Sequence, residues 1–119
     1  MDLARKLQIK PGDSIALIGV PPDIELEMSE DIAPVADAHA ADAVLAFAHV
    51  SADLDAVAAP ALAAAREDRL AWIAYPKAGQ LGTDLNRDRL AAQAQDHGVR
   101  PVRQVSVDEV WSALRFRPL

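Results

Sequence analysis

The sequence predicts an α/β domain with a mostly parallel β-sheet, helices on both faces and an antiparallel strand pair at its C-terminal end. Short continuous apolar runs, typical of buried parallel strands, alternate along the chain with segments that carry helix-capping signals. The last two strand-like runs are separated by only Asp108 and Glu109, which is too short a connection for a parallel crossover. The chain has 119 residues, so we expect a single domain over residues 1–119.

The first three strands are predicted from apolar runs at residues 14–20, 41–48 and 70–75. A Lys-Pro-Gly-Asp turn signal precedes the first run, and prolines follow the first and third. Residues 24–37 are ambiguous, because alternating apolar and acidic residues fit a half-exposed strand while a preceding Asp23 suits a helix N-terminus. We favour the helix, followed by an extended piece near residues 32–35.

Two helices are predicted between the later strands. Ser51 is the expected N-cap of a helix over residues 51–69, in which Pro60 either introduces a kink or marks the true beginning. Thr83 is the expected N-cap of a helix that ends at His97 and Gly98. Strands at 99–107 and 110–116 complete the fold.

Composition and charge exclude several classes of function. Hydrophobic residues make up 51% of the chain but aromatic residues only 4%, which predicts a core of small aliphatic side chains. The absence of cysteine excludes disulfides, thiolate metal sites and thiol catalysis. The chain shows no apolar signal-peptide region and no apolar run of membrane-spanning length, so we expect a cytoplasmic protein with no membrane partner.

The charge of the chain is unevenly distributed. The net charge is −6, and no lysine or arginine occurs between Pro11 and Ala65. So acidic a chain is not expected to bind nucleic acid, which needs a basic surface. The two halves either pair internally or associate head to tail with a partner or a second copy.

From residue 41 to residue 118 the predicted layout resembles that of Rossmann-like methyltransferases. Dinucleotide and methyl-donor sites have several glycines at the first strand–helix junction, where the backbone approaches the ligand. This chain has only Gly19 there, and Pro21 and Pro22 follow without N–H groups to donate. We therefore expect a Rossmann-like scaffold that binds no classical cofactor.

Four phrases resemble a bacterial family of small proteins of unknown function, the DUF 3052 type. They are KLQIKPG at residues 6–12, WIAYPK at 72–77, TDL at 83–85 and WSALRFRP at 111–118, and they span nearly the whole chain. The resemblance implies no reaction.

Ligands of such sheets bind outside the carboxyl ends of the strands. Tyr75 and Lys77 at one strand end are candidates for positioning and neutralising a small anionic ligand, beside a helix N-terminus expected at Thr83. The alternative is an ordinary strand end with a solvated lysine. The candidate ligand-binding residues are Gly19, Asp23, His49, Tyr75, Lys77, Thr83 and Asp84, and Ser51 is expected at the same strand ends.

No catalytic or metal-binding constellation emerges from the sequence. The three histidines do not share a face at ligand spacing, and no Gly-x-Ser-x-Gly motif supports a triad. Trp111 and Phe116 lie on the amphipathic terminal strand, where they either pack onto the sheet or leave an edge free to pair with a second copy. We expect a non-catalytic binding or interaction module; the alternative is a small-molecule or methyltransferase-like enzyme with its site at the strand ends.

Overall fold

A six-stranded mixed sheet organises the computed structural model, which describes residues 3–22, 24, 32–77 and 79–119. Short 3-10 turns at Ser51–Asp55 and Gln80–Gly82 precede the second and third helices. The helices and strands in chain order are α1 Leu3–Lys6, β1 Ser14–Ile18, β2 Ala33–Pro34, β3 Ala43–Phe47, α2 Ala59–Arg66, β4 Leu70–Pro76, α3 Arg87–Gln95, β5 Val99–Ser106 and β6 Trp111–Pro118.

The strand order is β2-β1-β3-β4-β6-β5, which confirms the predicted α/β fold. The first four strands pair in parallel, and β6 is antiparallel to both β4 and β5. The crossover through α3 places β5 two positions from β4 in the sheet. The β5–β6 hairpin then places β6 in the position between them. The predicted antiparallel pair is therefore present, with β5 at the sheet edge.

Both faces of the sheet are covered, and the small side chains of the sequence allow the helices to pack close to the strands. On one face α2 lays Ala61, Ala64 and Ala65 against the sheet, and none of the three is more than 1% exposed. On the other face α1 and the segment after it cover Trp72 and the Phe47–Trp111 ring pair. Helices on both faces are thus confirmed, although the helix of the second face has only four residues.

Two predicted helix starts are wrong. Ser51 lies inside a 3-10 turn, and α2 begins at Ala59 with Pro60 in its first turn, so that proline marks the true beginning. Thr83 is extended, because residues 80–82 first form a turn of their own; α3 begins four residues later, at Arg87.

The free edge predicted for the terminal strand is also wrong. Strand β6 is hydrogen-bonded on both sides, and Trp111 and Phe116 are buried, so the alternative in which they pack onto the sheet is confirmed. The outer edge belongs to β5, where Pro101 and a register shift between Pro101 and Arg103 interrupt the ladder. Both devices discourage pairing with another chain.

Half of the ambiguous segment, residues 25–31, lies outside the described residues, so its helix-or-strand question stays a prediction. Within it, Ala33–Pro34 forms β2, as expected for an extended piece near residues 32–35. None of the helices in the described ranges has the length and apolar character needed to cross a membrane.

Candidate functional site

The carboxyl ends of β1, β3 and β4 lie at one end of the sheet, together with the β5–β6 turn. The antiparallel register places Trp111, the first residue of β6, opposite Pro76, the last residue of β4. The predicted site residues divide here into three places: the end of β1, a set of interlocked loops, and a cleft beside α3.

At the end of β1, Gly19 is in close contact with the chain itself. Its φ is +70°, and a Cβ at this position would lie 2.7 Å from Cγ1 of Val57 and 3.1 Å from the carbonyl oxygen of Phe47. The segment between the first 3-10 turn and α2 therefore covers the point where a dinucleotide would approach the backbone. Asp23 lies outside the described residues.

A second place, the loop cluster of His49, Ser51, Thr83 and Asp84, joins the β3 loop to the α3 loop. Oδ1 of Asp84 accepts from the Ser51 backbone N–H at 2.9 Å, and Oδ2 accepts from the Ser51 hydroxyl at 2.7 Å. The Thr83 hydroxyl donates to the His49 carbonyl at 2.5 Å. Three of the four side chains thus bond across the two loops, and the cluster fixes loop geometry.

The remaining side chain of the cluster is bound in the same way. His49 Nε2 lies 2.6 Å from the carbonyl oxygen of Leu81, and its backbone N–H donates to Asp53 Oδ2 at 2.9 Å. The Ser51 hydroxyl donates to Asp84, so the hydrogen bonds of the described residues do not join Ser51 and His49 as a nucleophile–base pair.

Asp84 gives the loop cluster a pH dependence. The hydrogen bonds from Ser51, reinforced by Arg89, lower the pKa of the Asp84 carboxyl below its ordinary value. The stabilisation is therefore present above the ordinary aspartate pKa and is lost as pH falls through the lowered one. We expect Asp84→Asn to reduce the fall in the free energy of unfolding that the protein shows as the pH is lowered. The same fall in the variant, with the loop contacts intact at neutral pH, would contradict this role of Asp84.

The third place is a cleft of about 480 Å³ between the start of α3 and the β5–β6 hairpin. We call it the α3 cleft. Strand pairing places Tyr75 opposite Ser112, and Gln104 opposite Leu114, so that these side chains share the α3 face of the sheet. Its lining residues are Tyr75, Lys77, Asn86, Arg87, Asp88, Gln104 and Ser112.

Tyr75 supplies a neutral hydroxyl to the cleft wall. Nε2 of Gln104 donates to its Oη at 3.0 Å, and the Ser112 side chain also hydrogen-bonds the phenol. Burial raises the pKa of the Tyr75 phenol above its ordinary value. At neutral pH the group is therefore a hydrogen-bond donor.

Within the described residues, neutral acceptors of the hairpin anchor Lys77. Its Nζ donates to Ser106 Oγ at 3.0 Å and to the Asp108 carbonyl at 2.7 Å. An ammonium has three N–H donors, so one remains. No carboxylate in the described part of the chain forms an ion pair with Lys77.

The start of α3 adds a second positive element. Oδ1 of Asn86 accepts from the Arg89 N–H at 2.8 Å and caps the helix, while the N–H groups of Arg87 and Asp88 have no acceptor among the described residues. Free N–H groups at a helix N-terminus favour anions. Arg87 pairs with Asp88 at 3.5 Å, but the Asp88 side chain is 95% exposed, so the pair is weak.

Sequence reasoning found part of this cleft and missed the rest. Tyr75 and Lys77 were predicted from their place at a strand end, and the cleft contains both. Arg87, Asp88, Gln104 and Ser112 were not among the candidate ligand-binding residues. The signal for the last two was the alternation of β5 and β6, but it identifies a face only once the strand order is known.

The described residues contain no group of three histidine, aspartate or glutamate side chains placed to hold a metal ion. No family model matches the chain. A search of curated proteins also finds no match.

Proposed function

We propose that this chain is a cytoplasmic, non-catalytic binding module of the type found in small bacterial proteins, and that the α3 cleft takes a small organic anion. The observation that carries the proposal is the convergence of Lys77, Arg87 and the start of α3 on one cleft whose remaining wall is neutral and polar. The positive groups outnumber the single carboxylate of Asp88, which suits one negative charge on the ligand.

The neutral groups of the cleft define the rest of the ligand. Tyr75 and Ser112 offer hydroxyls, and Gln104 offers an amide, all on one side of the cationic groups. A carboxylate carrying a hydroxyl or amide group satisfies both sides of the cleft. The proposal is therefore a small hydroxy acid or a compound of similar polarity.

The enzyme-like alternative has less support. The end of β1, where a methyl donor or dinucleotide would approach, is covered by Val57 next to Gly19. The histidine of the loop cluster is in contact with a backbone carbonyl and not with a hydroxyl. Neither observation supports nucleophilic or cofactor-dependent chemistry at this end of the sheet.

Calorimetric titration with lactate tests the cleft, with lactamide as the neutral analogue. We expect lactate to bind and lactamide not to bind, and Arg87→Gln to weaken lactate binding by about tenfold, because one charge-assisted hydrogen bond is worth that much. Arg89→Gln is the matched control, since Arg89 lies on the same helix outside the cleft lining.

Two results would overturn the proposal. The first is equal weakening by Arg87→Gln and Arg89→Gln, or equal binding of lactate and lactamide, since either result excludes recognition of the charge in the cleft. The second is turnover on a broad substrate panel that disappears with Tyr75→Phe, because it would make the site catalytic.

A further inference from the structure

A basic groove lies on the face of the sheet opposite the α3 cleft. It has a volume of about 540 Å³ and is lined by Arg5, Lys6, Arg103, Val105 and Ser106. Val105 pairs with Ala113, which packs in the core beneath α1, whereas the cleft residue Tyr75 packs in the core beneath α2 and α3. The groove and the cleft therefore lie on opposite faces and meet at Ser106, whose carbonyl accepts from Lys6 of the groove and whose hydroxyl accepts from Lys77 of the cleft.

The cations of the basic groove have no acidic partner in the part of the chain that the structure describes. Among the described residues no carboxylate forms an ion pair with Arg5, Lys6 or Arg103; the Lys6 ammonium donates only to the Ser106 carbonyl, at 3.0 Å. Elsewhere arginines do pair, as Arg117 does with Asp68 at 2.9 Å. The net charge is −6, so carboxylates are not scarce in this protein.

A fourth cation increases the repulsion at the groove. Arg103 lies directly opposite Arg115 in the β5–β6 ladder, and like charges in that position destabilise a sheet. Arg115 donates through Nη1 to Gln8 at 2.9 Å, but its Nε is buried and has no acceptor. Arg115 itself does not line the groove, whose cations are Arg5, Lys6 and Arg103.

We propose that the basic groove binds a small molecule with a multiply charged phosphate group. Arg5, Lys6 and Arg103 form no ion pair among the described residues, so together they can balance more than one negative charge on a ligand. A single carboxylate carries only one negative charge. Guanidinium groups bind phosphate oxygens in bidentate fashion, and the groove has the volume of a small-molecule site.

An acidic peptide strand fits this surface less well. Such a peptide would add to the free edge of β5, but Pro101 lacks an N–H and the register is irregular between Pro101 and Arg103. The ladder needed to hold an added strand is thus interrupted beside the groove.

Pyrophosphate is the probe that tests this site, by calorimetric titration and by thermal unfolding at low ionic strength. We expect pyrophosphate to bind more tightly than acetate and to raise Tm, and Arg103→Gln to weaken its binding by about tenfold. Arg100→Gln is the matched control, because Arg100 lies on the same strand outside the groove. We expect that control to bind as the unmodified chain does.

The ligand-free protein supplies a second readout that a merely structural role would not give. Because Arg103 faces Arg115, we expect Arg103→Gln to raise the Tm of the ligand-free protein and to reduce the increase in Tm that pyrophosphate causes. In 1 M salt, which screens the repulsion between the two arginines, we expect the substitution no longer to raise the Tm of the ligand-free protein. Three results would overturn the proposal: equal weakening of pyrophosphate binding by Arg100→Gln and Arg103→Gln, loss of pyrophosphate binding in Arg87→Gln, or tighter binding of an oligoglutamate peptide than of pyrophosphate.

Discussion

Replacing Gly19 by alanine is expected to destabilise the protein by about 3 kcal/mol. A left-handed backbone costs a residue with a Cβ about 1–2 kcal/mol, and forcing an extra carbon into a packed site costs about 1–3 kcal/mol more. Both costs apply here, because φ is +70° and the new carbon would lie 2.7 Å from Val57 Cγ1. Denaturant unfolding followed by circular dichroism measures the loss.

Gly82 provides a matched control for that substitution. Its φ is +66°, but no atom lies within 4 Å of the position of a Cβ, so Gly82→Ala carries only the backbone cost of about 1–2 kcal/mol. Adding Val57→Ala removes the clashing methyl, and the cost of Gly19→Ala is expected to fall towards that of the control in this background. Equal losses at Gly19 and Gly82 would show that Val57 does not cover the end of β1.

Replacing Trp72 by phenylalanine is expected to cost about 2–4 kcal/mol and to loosen the N-terminal segment. The indole N–H of Trp72 donates to the Leu7 carbonyl at 2.9 Å, and both residues are fully buried. The substitution leaves a buried acceptor unpaired and part of the indole volume empty. Hydrogen exchange is expected to show faster exchange of the Leu7 and Ile9 amides, which donate to Leu3 and Ala4.

Trp111→Phe is the control for the tryptophan substitution. The Trp111 indole makes no hydrogen bond within the described part of the chain, and a phenyl ring can keep the edge contact with Phe47. A smaller loss than for Trp72→Phe, from the lost volume alone, and unchanged amide protection near α1 are therefore expected. If both substitutions cost the same and leave the Leu7 amide protected, the Trp72 hydrogen bond does not hold the second face of the sheet.

Three of the six strands, β3, β4 and β6, were predictable because they are mostly buried. β3 is buried along its whole length, so its continuous apolar run indicates a strand with both faces covered. The helix starts were less predictable, because Ser51 and Thr83 have the chemistry of N-caps but lie in or beside 3-10 turns. The capping preferences of Ser51 and Thr83 indicated that each lies near the start of a helix. The α-helices themselves begin several residues later, at Ala59 and Arg87.

The candidate site shows the same division between local and long-range information. Lys77 was predicted because proline ends its strand, which is a local signal. Gln104 and Ser112 belong to the cleft only because β6 returns between β4 and β5, and no local pattern specifies that order. Gly19 was recognised as a special position, but its role here is a close approach to Val57.

Chemical-shift mapping during a lactate titration tests the proposed binding site most directly. The account predicts that the largest amide shifts occur around the α3 cleft and are absent with lactamide; the residues concerned are Tyr75, Lys77, Arg87, Asp88, Gln104 and Ser112. Largest shifts at Gly19 and Val57, or at the loop cluster of His49 and Ser51, would contradict it.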